Sequence, residues 1–343
     1  MTRTDPKLLL QSAPFLRRGV TTPRLMMDVL LGLAPVALAA VYFFGLSAIA
    51  VMAAATAGAM GAEWLFATER PRGKSLKDGS AVLTGVLLGL CLPPGIPMWM
   101  ALLGGAAGIG LGKLVFGGLG QNLFNPALVG RAFLQAAFPT AITTWSQQGA
   151  IREFFTVRPS NFALPLMKAP AVDAVSTATP LGLMKFENIP TPIQDLMLGN
   201  TAGSLGETCA ILIVICGIIL AIRGTFDWRI PASIVLTVAV FSTIVWLCDR
   251  QEYPSPWLMV CSGSLLFGSV YMATDPVTSP LTPRGAWLFG IGVGALVVLI
   301  RIWGGLPEGV MYAILLMNAA TPLIDRICQP RALGRTETGR ALA

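Results

Sequence analysis

The chain has no histidine, and charge is scarce: only 12% of its 343 residues are Asp, Glu, Lys or Arg, where a soluble domain devotes about a quarter. Without histidine, a zinc or haem site built on imidazole is excluded. Six cysteines (Cys91, Cys209, Cys216, Cys248, Cys261, Cys328) form no CxxC pair and lie mostly in apolar stretches, which reads as membrane-buried packing. Charge is absent altogether from Val29 to Ala62 and from Gly79 to Gly112, 34 residues each. Such runs are long enough to cross a bilayer more than once, and no soluble core needs them. What is abundant is apolar: 54% of residues are hydrophobic and the mean hydropathy is +0.70. The formal charge of +7 does not point to nucleic acid, because Lys and Arg sit between apolar segments instead of on a water-facing domain. Arg3, Lys7, Arg17, Arg18 and Arg24 precede the first apolar run with no small-residue cleavage site after a short apolar core, so no cleaved signal peptide is expected.

Apolar runs, charges and Pro/Gly breaks predict about ten transmembrane helices in an all-α polytopic membrane protein. Five lie near Met27–Phe44, Leu46–Phe66, Gly79–Leu92, Trp99–Phe116 and Asn122–Phe138, and five near Thr208–Ile222, Ile230–Cys248, Leu258–Ala273, Ala286–Trp303 and Val310–Ile324. The corresponding organisation is 1–26 as an N-terminal segment, 27–138 and 208–325 as two five-helix repeats, 139–207 as an intervening loop and 326–343 as a tail. Gly79-Ser80 recurs as Gly263-Ser264, and Gly117-Gly118-Leu119 as Gly304-Gly305-Leu306, at offsets of 184 and 187. An odd number of helices per repeat inverts the second copy in the membrane. Of 24 basic residues, 17 fall on the side of the N-terminus and 5 on the other, with Arg131 and Arg301 inside helices. The positive-inside rule then expects both termini in the cytoplasm and 139–207 outside it.

The third and eighth helices are short, occupy matching places, and end at Pro93-Pro94-Gly95 and Thr274-Asp275-Pro276. Broken helices in matched positions point to a central site whose freed backbone groups line a cavity for an ion or polar cofactor, although Pro at these places also makes tight turns. Asn122 and Asn125 lie three apart and share a face at a helix start, while Asn125-Pro126 is equally an ordinary capping pair. Asp78, Asp275, Arg131, Arg301 and Asp325 are costly near lipid unless paired or wet. A long Arg snorkels to the headgroups, which a short Asp does not, so Asp275 and Asp78 are the better candidates for an ion path.

In the outer loop stands Asp173-Ala174-Val175-Ser176-Thr177-Ala178-Thr179-Pro180, by composition only a loop. It resembles the Asp-x-x-Ser/Thr-Gly-Ala-Thr signal of the RnfD/NqrB family, membrane subunits of Rnf and sodium-pumping quinone reductase complexes. Gly117–Phe133, Ala273–Pro280, Gly203–Thr208 and Pro307–Pro322 are similar to that family as well, so the resemblance covers nearly the whole chain. It implies FMN joined through its phosphate to Thr179 by an extracytoplasmic flavin transferase, with Asp173, Ser176 and Ala178 in the attachment motif. Thr177 departs from the usual Gly. The resemblance also implies a noncovalent riboflavin beside Asn122 and Asn125, and a fold similar to urea channels. The short segment before the first helix resembles the RnfD branch, which implies no quinone site here.

The role so implied is an electron-relaying flavoprotein subunit of a ferredoxin:NAD oxidoreductase complex in the bacterial inner membrane. It moves Na+ or H+ and works beside iron-sulfur and flavin subunits. A solute channel or transporter, or a plain membrane anchor for redox partners, shares the helix pattern but has no need of the segment from Asp173 to Thr179.

Overall fold

The computed structural model describes residues 21–67, 73, 75–145, 155, 157–165, 178–187, 189–207, 209–250 and 253–329. Among them every regular element is helical, with no strand. In order, α1 spans Thr22–Phe44, α2 Leu46–Phe66, α3 Ser80–Leu90, α4 Met98–Ile109, α5 Pro126–Ala137 and α6 Ala210–Ile222. Then follow α7 Arg229–Cys248, α8 Pro256–Cys261, α9 Leu265–Phe267, α10 Pro283–Trp303 and α11 Val310–Ile327. A π-helical turn at Gly110–Leu114 prolongs α4, and another at Gly268–Met272 prolongs α9.

Five of these helices (α1, α2, α7, α10, α11) are long and apolar enough to span a membrane. Large apolar side chains stand exposed on them, among them Leu38, Tyr42, Leu236, Ile244 and Leu247, as lipid-facing surfaces require. The chain is a multi-pass membrane protein.

Small residues let the helices approach closely, which is where packing energy comes from when lipid is as apolar as leucine. A Cβ on Gly58 of α2 would overlap the Leu102 carbonyl of α4, and one on Gly105 of α4 would overlap the Ala55 carbonyl of α2. In the other half, a Cβ on Gly290 of α10 would overlap the Ser233 hydroxyl of α7.

Two predicted helices differ from expectation. The fifth begins at Pro126, not Asn122, because Asn125 caps it: the Asn125 side chain accepts from the amides of Ala127 (2.9 Å) and Leu128 (3.4 Å). The eighth, expected near Leu258–Ala273 as one short helix, is divided at Ser262-Gly263-Ser264, where Gly263 takes the left-handed conformation (φ 65°). Gly79, which opens α3, does the same (φ 78°).

The backbone groups freed by these breaks are satisfied inside the protein. Past α3, the Leu92 carbonyl accepts from Leu205 N at 3.2 Å. Buried Asn161 donates from Nδ2 to the carbonyls of Pro94 (3.0 Å) and Ile96 (2.7 Å). At the second break, Arg301 donates to the carbonyls of Met259 (2.6 Å) and Ser262 (3.2 Å).

Candidate functional site

Buried charge gathers at the two ends of the helix bundle. At the first end, Lys113, in the π-turn after α4, places Nζ 2.6 Å from Glu63 Oε1 of α2 and 2.7 Å from the Ser80 hydroxyl at the start of α3. Glu63 is fully buried and Lys113 is 3% exposed. Ser75 also donates to Glu63, and Asp78 lies 3.9 Å from Lys113 while accepting from the amide (2.8 Å) and hydroxyl (2.7 Å) of Ser80. A cavity of about 60 Å³ adjoins this cluster, lined by Ser80, Lys113, Asn122, Asn125 and Asp275 among others.

Within that cavity wall the predicted residues have local duties. Asn122 accepts from Gly120 N (3.3 Å) and donates to the Phe124 carbonyl (3.4 Å). Asn125, besides capping α5, donates from Nδ2 to the Met272 carbonyl at 3.0 Å, which ties the first half to the broken helix of the second. Asp275 accepts from Val277 N (3.4 Å) and the Thr278 hydroxyl (3.3 Å). Asp325 accepts from Leu281 N at 3.1 Å, holding the start of α10 to the end of α11.

At the opposite end, Thr179 is the N-cap of a short helix, Pro180–Gly182, and its hydroxyl accepts from Gly182 N at 3.1 Å. Thr179 is 7% exposed. It lines a cavity of about 380 Å³ together with Ala178, Gly182, Arg131, Glu308 and the aromatic side chains Trp145, Phe186 and Tyr312. Asp173, Ser176 and Thr177 lie outside the described residues.

Charges at this end come from distant parts of the chain. Glu308, in the loop between α10 and α11, accepts from Ser264 N (3.0 Å) and the Ser264 hydroxyl (2.8 Å), and pairs with Arg131 of α5 at 3.4 Å. Arg131 and Arg301 do not snorkel as their length suggests: they are 7% and 4% exposed, enclosed by protein. Each finds better partners inside, Arg131 a carboxylate and Arg301 the carbonyls of the α8 break. Lys185 fastens the Thr179 segment to the end of α10, donating to the carbonyls of Arg301 (2.8 Å), Gly304 (2.5 Å) and Leu306 (3.1 Å). Partial burial lowers the Lys185 pKa. Glu207, in the loop ahead of α6, is pushed up to about 7 by burial and by the like charge of Glu308.

Sequence reasoning missed Glu63 and Lys113, which are buried, and Glu207 and Glu308, which are partly buried. Glu63 and Lys113 immediately follow the two charge-free runs, where charge reads as a helix boundary. Glu207 and Glu308 sit within the family-like strings Gly203–Thr208 and Pro307–Pro322, but nothing in a string shows which residue turns inward.

Residues 9–334 match the NQR2, RnfD, RnfE family. Over 335 residues the chain is 38% identical to the D subunit of the proton-translocating ferredoxin:NAD(+) oxidoreductase complex of Clostridium ljungdahlii, covering 95% of this chain and 96% of that one. It is 40% identical to the D subunit of the ion-translocating oxidoreductase complex of Stutzerimonas stutzeri, over 93% of this chain and 94% of that one. To the D subunit of the Na(+)-translocating ferredoxin:NAD(+) oxidoreductase complex of Acetobacterium woodii it is 37% identical, over 96% of both.

Proposed function

The chain belongs to the NQR2, RnfD, RnfE family, and we propose accordingly that it is the flavin-carrying D subunit of a bacterial Rnf-type complex. That complex is a ferredoxin:NAD oxidoreductase that drives Na+ or H+ across the inner membrane. The observation that carries the flavin reading is the setting of Thr179: a buried hydroxyl on the wall of a 380 Å³ cavity with three aromatic side chains and one guanidinium. An FMN phosphoester fits that chemistry. The aromatic side chains suit a planar ring, Arg131 suits an anion, and the ester oxygen keeps the acceptor role toward Gly182 N.

FMN supplies the redox chemistry when bound; the protein positions it and sets its surroundings. Thr179 provides the tether. Arg131, fixed by Glu308 and through it by Ser264, places a positive charge at the cavity wall. Lys185 pins the tethered segment to α10. In-gel fluorescence of the denatured chain, made together with a flavin transferase, tests the tether: Thr179→Val abolishes the signal. A dark wild-type chain would defeat the covalent reading.

The coupling we propose runs through the two broken helices as an inverted repeat. Gly79-Ser80 and Gly263-Ser264 each open a half-helix, and each serine hydroxyl binds a buried ion-pair cluster, the first at the Lys113 end and the second at the Thr179 end. Equivalent pieces at opposite ends are what inversion produces. The half-helices finish against each other, with Cys91 Sγ 3.9 Å from Met272 Sδ. Among the described residues the two end cavities have no lining residue in common, an arrangement suited to alternating access. Charge placement supports cytoplasmic termini and a periplasmic Thr179. Ion uptake by the intact complex that ignores redox state would sink the coupling. Other subunits of the complex, iron-sulfur and flavin proteins among them, complete the electron path.

A further inference from the structure

Glu207 is held where the two halves of the protein meet, yet its carboxyl group is left with little to do. Its backbone is fixed from both sides: Leu205 N donates to the Leu92 carbonyl past α3, and Gly206 packs so tightly that a Cβ there would lie 3.1 Å from both Leu90 and Phe267. Of the two carboxyl oxygens, Oε2 accepts a long bond from Ser204 N (3.4 Å), while Oε1 is buried with no hydrogen-bond partner among the described residues. Such an atom costs stability unless it serves something. Glu207 lines a narrow polar cleft with Thr179, Thr201, Ser204, Ser262 and Gly263. The cleft measures about 10 Å³, the scale of a single water. Thr179 belongs to this cleft and also to the large cavity, so it forms the wall between them.

The charges facing Glu207 come from four elements. They are Arg131 of α5, Glu308 of the loop between α10 and α11, Arg301 of α10 and the Cys91 thiol past α3. Arg131 is already paired with Glu308, and the Arg301 guanidinium is engaged by the Met259 and Ser262 carbonyls. Glu207 thus feels the charge of Arg131, whose ion pair among the described residues is with Glu308. Neither its acid nor its carboxylate form is locked by a dedicated ion pair, which is the condition for a group that exchanges protons readily.

Resting on the reading of Thr179 as the flavin anchor, we propose that Glu207 is the proton-exchanging carboxyl group of that site. As an electron reaches the cofactor from the complex's own reductant, the Glu207 O–H bond breaks. Its proton passes through the cleft to the cofactor, and the resulting carboxylate is stabilised by the positive charge of Arg131. When the electron leaves, the proton returns to Glu207. One proton accompanies one electron in each direction, so the site gains no net charge.

Two measurements on the purified complex test this. Redox-difference infrared spectra of the wild type show loss of a protonated-carboxyl band on reduction, and Glu207→Gln lacks that band. The potential of the Thr179-bound flavin becomes less pH-dependent in Glu207→Gln, its change per pH unit falling to about half of the wild-type value or less. Glu207→Asp, one methylene shorter, restores the pH dependence and shifts the band. Loss of pH dependence in Asp as in Gln would mean a structural role and overturn the proposal, as would a band and pH dependence unchanged in Gln. Fluorescence of the denatured chain separates the two levels: a dark wild type removes the flavin reading itself, whereas a fluorescent Glu207→Gln complex with wild-type behaviour removes only Glu207.

Discussion

The two ends of the bundle are built from corresponding pieces and put to different uses. Each has a left-handed Gly followed by a Ser whose hydroxyl joins a buried ion pair. At the Lys113 end the pair is tight, 2.6 Å, and the adjoining cavity is about 60 Å³. At the Thr179 end the pair is looser, 3.4 Å, the cavity is about 380 Å³, and a carboxylate oxygen of Glu207 has no partner among the described residues. The first cluster thus closes its end of the bundle, and the second borders an open cavity.

The sharpest way to break that contrast is at Lys113. Lys113→Met strands a fully buried Glu63, and removing one partner of a buried pair costs about 3–5 kcal/mol. The expected outcome is a large drop in thermal stability of the purified complex, most of it recovered by adding Glu63→Gln. If Lys113→Met is as stable as the wild type, the Lys113 end is not the structural one.

Gly263→Ala should come next. Its left-handed φ of 65° disfavours Ala, and the added Cβ runs into Glu308 Oε1, so a loss of about 2–3 kcal/mol is expected with the Arg131 contact disturbed. Thermal unfolding combined with the flavin potential checks both parts.

Arg131→Met should cost less, about 1–3 kcal/mol, because Glu308 keeps both bonds from Ser264. On the proposed function its larger effect falls on the flavin: loss of the positive charge makes reduction harder, read as a lower flavin potential in redox titration. The smallest stability effect belongs to Lys185→Met, about 1 kcal/mol at a partly exposed site, with faster thiol labelling of an Ala178→Cys reporter as the Thr179 segment loosens.

Legibility in sequence followed the kind of physical signal each feature carries. Leu46–Phe66 and Val310 as the start of α11 were readable to the residue, because lipid imposes a long apolar run and charge or Gly ends it. The eighth helix was readable as short, and Gly263-Ser264 as a repeat of Gly79-Ser80, but not that the left-handed Gly263, with Arg301 feeding the freed carbonyls, splits Leu258–Ala273 in two. Thr179 was singled out by the resemblance of a short segment to a family motif. Its neighbours were not legible as such, since Arg131 and Glu308 are 177 residues apart and nothing local to either announces the other.

Local signals were enough to establish a multi-pass helical membrane protein with a capped helix at Asn125, whereas Thr179 stood out only by the resemblance of its segment to a family motif. Run length, charge scarcity and capping chemistry are properties of short stretches of chain, and lipid makes them compulsory. Which charges are buried, and whom they meet, emerged only from the folded chain: Lys113 with Glu63, Arg131 with Glu308, Arg301 with the α8 break, and Glu207 with its unpaired oxygen. The reason is that an ionic group's burial depends on partners brought from elsewhere in the chain, and that pairing exists only once the two halves have closed on each other.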